Sequence, residues 1–271
     1  MASATPFYSR AGLNVECYDP RTAVDVGRSS VRGDAAWYRR LARRTGGPVL
    51  EGACGNGRVA WEIAKAGIEV VGFDLSPPML RAAEAKRASM PPRARGKATF
   101  VRGDLRTFDL GRRRFPLAVV PFRSFQCLLT PEDQRACLLR FRRHLRPGGR
   151  LVLDLFDPVY RYLSPTEPRV FARRPAVRHP ARGTAVGVET RRIGIDPVRQ
   201  VMDLLWTFRE KGPRGRTIRV EREILRMRWS FRHEMRHLFG LTGLEVEAEY
   251  SDFRGGAPAY GKEQVWVLRR R

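Results

Sequence analysis

The sequence predicts a doubly wound α/β fold on a mostly parallel sheet, with a small antiparallel β insertion between the fifth strand and the last helix. Three observations carry this expectation. Apolar runs alternate with helical patterns between residues 34 and 160, the early runs end in carboxylates beside turns, and longer extended segments follow before the helix and strand pattern returns.

Taken in order, residues 1–33 show little periodicity and read as a leader lying over the core. From Asp34 to Thr45, Trp37, Tyr38 and Leu41 share one helical face, and Gly46-Gly47 stops the helix. Pro48 to Gly52 is a first strand feeding a glycine turn and a helix from Arg58 to Ala66. Ile68 to Asp74 is a second strand, and Ser76-Pro77 supplies the cap and first residue of a helix reaching Ala88. Ala98 to Gly103 and Phe115 to Phe122 read as the third and fourth strands, and Thr130-Pro131 opens a helix to Leu145. Pro147-Gly148-Gly149 then reads as a turn into a fifth strand, Arg150 to Phe156.

After residue 160 three extended segments are expected: Val186 to Ile195, Gln200 to Glu210 and Thr217 to Trp229. In the middle one Met202, Leu204, Trp206 and Phe208 alternate with their neighbours, the period of a half-buried strand. A helix near Phe231 to Thr242 and strands near Leu244 to Tyr250 and Gln264 to Leu268 close the chain. The expected division is a leader (1–33), a cofactor-binding core (34–160), an inserted arm (161–229) and a completing segment (230–271).

Bulk properties exclude several classes. The 271 residues suit one well-buried core, and no apolar run is long enough for a membrane span. The amino terminus lacks the basic start and apolar stretch of a secretion signal, and Cys17, Cys54, Cys127 and Cys137 form no CxxC, so a reducing cytoplasm is expected. The formal charge is +24, with five lysines among the 52 cationic residues and arginine at the remaining 47. Nucleic acid is thus a partner to weigh, but the arginines run through nearly every segment without interleaved aromatics, which favours a solvated, arginine-biased surface.

The chemistry centres on residues 49–57, Val-Leu-Glu-Gly-Ala-Cys-Gly-Asn-Gly, where an apolar run ends in an acid and breaks into a glycine turn before a helix. Gly55 and Gly57 let the backbone turn and approach a ligand at the helix N-terminus. With Asp74 nineteen residues after Gly55, the pattern also fits an NAD fingerprint. Glu51, Asp74 and Asp104 stand at the ends of three successive strands, however, and a dinucleotide has no fixed need for the third. A ligand with an ammonium, a ribose and an adenine amino group can use all three, which points to S-adenosylmethionine.

On these residues the chain resembles the class I S-adenosylmethionine-dependent methyltransferases, of the small bacterial type with an inserted antiparallel arm. The matching pieces are residues 49–57 (VLEGACGNG), Val71 to Leu80, Phe100 to Leu105 and Leu145 to Leu153, with Ala53 replacing the commoner glycine. The resemblance implies a seven-stranded sheet with an antiparallel last strand. It places Glu51, Gly55, Gly57, Asp74, Leu75, Met79, Asp104 and Leu105 around the cofactor, and Tyr18, Gly52, Ala53, Asn56, Gly103 and Phe122 complete the expected set. The acceptor is expected beyond the fourth and fifth strands, where Arg123, Asp157 and Tyr160 are the candidates facing it. No Asn-Pro-Pro-Tyr signature of nucleobase-amine chemistry is present.

A competing motif, His233-Glu234-Met235-Arg236-His237, spells the HExxH of zinc hydrolases. Gly243 stands where a third histidine would extend it, and the apolar face of Phe231, Met235, Leu238, Phe239 and Thr242 lies opposite both histidines. No metal is expected. The sequence thus favours a methyltransferase acting on nitrogen or oxygen of a small-molecule acceptor, as a monomer or homodimer. An RNA methyltransferase and a cofactor-binding module without catalysis are the alternatives.

Overall fold

The protein's structure, a computed structural model, describes residues 4–164 and 170–271. The leader is more ordered than its composition suggests: a two-residue strand β1 (Thr5–Pro6) precedes helices α1 (Leu13–Glu16) and α2 (Tyr18–Gly27). Helix α2 buries Tyr18, Arg21 and Thr22, so its inward face carries polar groups and leaves no apolar period to read.

Helix α3 (Asp34–Thr45) buries Tyr38, Leu41 and Ala42 and ends at Gly46, whose φ of 79° suits a residue without a side chain. Strand β2 (Val49–Gly52) feeds α4 (Arg58–Ala64), and β3 (Val70–Asp74) feeds α5 (Pro77–Ala85). Ser76 caps α5, its hydroxyl accepting from the Met79 N–H at 3.3 Å. A short α6 (Pro92–Arg95) leads to β4 (Ala98–Arg102), and β5 (Phe115–Val120) to α7 (Pro131–His144). Thr130 caps α7 through the Asp133 N–H at 3.1 Å.

Strand β6 (Leu145–Phe156) starts earlier than expected. Pro147-Gly148-Gly149 does not turn the chain out of the sheet. The partners of Phe115 and Leu117 on β5 are Leu145 and Arg150, so the extra residues are absorbed as a bulge. After α8 (Tyr160–Leu163) come β7 (Val170–Arg178), β8 (Ala185–Asp196), β9 (Val201–Lys211) and β10 (Thr217–Arg228). Helix α9 (Arg232–Leu241) and strands β11 (Leu244–Tyr250) and β12 (Glu263–Arg270) complete the chain.

Among the described residues the strands form two sheets. The larger has the order β11-β12-β6-β5-β2-β3-β4, with β12 antiparallel to both neighbours and β2 to β6 parallel to each other. This is the expected doubly wound α/β sheet of seven strands. The smaller has the order β1-β10-β9-β8-β7. It contains a strand the sequence did not reveal, β7, and takes in the leader through β1, which runs parallel to β10.

Alternation along the central strands builds a core on both sides of the large sheet. Leu50, Phe73, Val120 and Leu153 pack with Phe141 and Phe239 on one side. Val49, Val70, Val119 and Val152 pack with Tyr38 and Trp61 on the other. Burying each such side chain contributes roughly 1.5–3 kcal/mol, so strand ends that present acids sit on a rigid base. No helix among the described residues is long and apolar enough to cross a membrane.

Candidate active site

The turn after β2 is held in left-handed conformations at Ala53 (φ 52°), Gly55 (φ 55°) and Gly57 (φ 74°). Asp74, at the end of the adjacent β3, staples it. One carboxylate oxygen accepts from the Gly55 N–H and the other from the Ser76 N–H, both at 2.8 Å. A β-carbon at position 55 would stand 3.0 Å from Met79 Cε, so glycine also keeps the turn close to α5.

The three strand-end acids occupy different electrostatic states. Glu51 is buried and its Oε2 has no hydrogen-bond partner. Burial pushes its carboxyl up to about 8. Asp74 is raised as well, by burial, against the opposing pull of its backbone donors. Asp104 goes the other way, because Arg106 donates to it from Nε at 2.9 Å and Nη2 at 2.6 Å and holds the carboxyl below its usual range.

A cavity of about 1060 Å³ opens over these groups and runs to the face of the small sheet. Of the expected cofactor residues, Tyr18, Glu51, Ala53, Gly55, Asp74, Leu75, Met79, Gly103, Asp104, Leu105 and Phe122 line it. Gly52, Asn56 and Gly57 stand outside the lining. At Gly52 a β-carbon would lie 2.6 Å from the Phe141 ring, and at Gly57 2.9 Å from Phe100 and Trp61, so both glycines serve packing. Asn56 is buried and donates to Asp19 of the leader at 2.9 Å.

Among the acceptor-facing candidates, Arg123 and Asp157 line the cavity and Tyr160 does not. The Tyr160 ring is exposed beside Tyr260, with centroids 5.5 Å apart, and its N–H donates to the Tyr260 hydroxyl at 2.7 Å, which turns it to the surface. Arg123 is spent on buried Glu263, donating from Nε at 3.0 Å and from Nη2. Asp157 accepts from the Gly261 N–H and from Gln264 Nε2, each at 2.9 Å.

Leader and arm supply residues that strand grammar could not assign to the site: Tyr8, Arg21, Arg174, Met202, Leu204 and Trp206. The period of two in β9 marks the buried face without revealing that a cavity lies under it. The leader crosses the site: the Tyr8 carbonyl accepts from Ser76 Oγ at 2.7 Å, and its N–H donates to Glu223 on β10 at 3.0 Å.

In the HExxH segment His233 and His237 face solvent. Glu234 accepts from the Phe231 N–H at 3.1 Å, from Gln200 at 3.2 Å and from Arg228, so this carboxylate closes a helix N-terminus and braces the arm.

Sheet order, glycine turn and strand-end acids define a class I S-adenosylmethionine-dependent methyltransferase fold. Residues 49–149 match the family described as methyltransferase domain. The chain is 34% identical over 146 residues to the cypemycin N-terminal methyltransferase of a Streptomyces species, covering 53% of this chain and 55% of that one. It is 36% identical over 106 residues to the dTDP-3-amino-3,4,6-trideoxy-alpha-D-glucopyranose N,N-dimethyltransferase of Streptomyces venezuelae, covering 39% and 41%. The matched segment thus spans about half the length of these curated relatives. The fold extends over nearly the whole chain. An S-adenosylmethionine-bound amino pentose methyltransferase from Micromonospora echinaspora superposes with a TM-score of 0.65 at 24% identity, covering 97% of this chain and 100% of that one.

Proposed function

We propose that this chain transfers the methyl group of S-adenosylmethionine to a nitrogen of a small-molecule amine. The observation that carries the reading is the single cavity joining Glu51, Asp74 and Asp104 to a chamber under the arm sheet. The residues present fit the cofactor. The buried, unpartnered Oε2 of Glu51 suits an ammonium group, Asp74 at the open turn suits ribose hydroxyls, and Asp104 with Leu105 suits an adenine edge. Nitrogen is favoured over oxygen because the two curated relatives described above are named for N-terminal and N,N-dimethyl transfer.

S-adenosylmethionine supplies an electrophilic methyl carbon on a sulfonium whose departure leaves a neutral thioether. Transfer to an amine would use the nitrogen lone pair, leave the carbon–sulfur electrons on sulfur and require the methylated nitrogen to lose one proton. The protein's contribution is placement. The Phe122–Arg123 turn forms the cavity wall beside the acceptor, and residues of the leader and arm line the rest of the chamber. Arg123 and Asp157 act here as braces, their charges already matched by Glu263 and by the donors of Gly261 and Gln264.

The test begins with calorimetry on S-adenosylhomocysteine and NADH. Binding of the first alone is expected, and binding of NADH alone would end the reading. Transfer of labelled methyl to a metabolite extract is then followed by mass spectrometry, with and without nuclease. Labelled small amines in both arms are expected, whereas label lost on nuclease treatment would point to RNA.

A further inference from the structure

The arm sheet walls the half of the cavity away from the strand-end acids. Across the β9–β10 ladder Met202 pairs with Met227 and Leu204 with Leu225. These four apolar side chains all line the cavity, and Trp206 continues the patch toward the leader.

Three charged groups of the same wall, Arg174, Arg21 and Arg226, are already matched. Arg174 donates to Thr190 Oγ1 at 2.6 Å and to Asp25, and its guanidinium covers the Trp206 ring at 4.2 Å. Arg21 donates to Asp25 at 3.1 Å and to the Tyr8 hydroxyl at 2.8 Å. Arg226 is paired with Asp203, and Lys262 stands exposed at the rim. Trp206 Nε1 and Arg21 Nε stay without a hydrogen-bond partner at the leader end, but the four side chains paired across the ladder offer only apolar surface, and a wall of that kind recognises apolar surface. A polyhydroxylated body seated on those four side chains would lose water without regaining hydrogen bonds from them.

Building on the methyl-transfer reading, we infer that the acceptor is an amine carried on an apolar body, an alkyl chain or ring. That body sits on Met202, Leu204, Leu225 and Met227, with the nitrogen directed toward the Phe122–Arg123 turn.

The seat is tested without chemistry, by titrating the full chain, bare and saturated with S-adenosylhomocysteine, with n-alkylamines from propylamine to octylamine and with glucosamine. Affinity is expected to rise about three- to fourfold per added methylene until the chamber fills. Hexylamine is expected to bind at least tenfold tighter than glucosamine. Leu225→Ser and, independently, Met202→Gln should flatten the series while S-adenosylhomocysteine affinity holds, and Leu225→Met should restore the slope. A flat series, tighter binding of glucosamine, or an unchanged slope in both folded polar variants would overturn the inference. Alkylamines that bind with the expected slope yet accept no labelled methyl would leave the seat standing and sink the methyl-transfer reading. If S-adenosylhomocysteine fails to bind, the titration of the bare protein still decides the seat.

Discussion

Glu51 on β2 and Asp104 after β4 stand at the same edge of one sheet, yet burial raises the carboxyl of the first and Arg106 lowers that of the second. Spacing marks both as strand-end acids, but the difference between them is set by tertiary neighbours and is not legible in the sequence. The consequence is a pH dependence with a definite sign. The Glu51 carboxyl is raised from 4.5 to about 8, so the folded ligand-free protein binds an extra proton between those values and this group's contribution to stability declines as pH rises through that window. Pairing with an ammonium requires the ionised form. Affinity for S-adenosylhomocysteine should therefore climb toward tenfold per unit from pH 6 to about pH 8 and then level off. Glu51→Gln should remove the climb and weaken binding at pH 8 by about 10- to 100-fold, in the range of a hydrogen bond to a charged group. Calorimetry across pH checks both. A slope that survives the substitution would remove Glu51 from the ammonium.

At the scale of the element, the strand grammar of the core was legible because apolar alternation, caps and turn residues agree there. Strand β7 escaped for a physical reason. Pro175 sits inside it, and the register slips between Arg174 and Val177, so the proline is accommodated at a bulge and the alternation is broken. The turn after β5 is another local irregularity with a tertiary cause. Phe122 (φ 61°) and Arg123 (φ 63°) are both left-handed, which ordinary side chains resist. Asp154, fully buried on β6, holds them there by accepting from the Phe122 and Arg123 N–H groups, both at 2.9 Å, and from the Tyr38 hydroxyl at 2.9 Å. Asp154→Ala leaves one buried and two half-buried donors unmatched, at about 1–3 kcal/mol for a fully buried one, so urea unfolding should report a loss of about 3 kcal/mol. Tyr38→Phe, which deletes one donor with its hydroxyl, should cost about 1 kcal/mol. Equal losses in the two variants would mean that Asp154 does not hold the turn.

On the scale of the whole molecule the cavity lies between two sheets, and the leader ties them together. Strand β1 pairs Thr5 with Glu223 and Pro6 with Ile224 of the arm. Ser76 of the core donates to the Tyr8 carbonyl, while Asn56 and Lys86 donate to Asp19, at 2.7, 2.9 and 2.8 Å. A ligand in the cavity touches core and leader at once, so its binding free energy stabilises the leader as well as the glycine turn. At 100 times the dissociation constant that stabilisation is about 2.7 kcal/mol, about a hundredfold in an opening equilibrium. Hydrogen exchange with S-adenosylhomocysteine at that excess should slow the amides of residues 5–18 by up to about this factor, together with those of residues 53–57. Slowing confined to the glycine turn would mean that the leader opens independently of the ligand and does not gate the site.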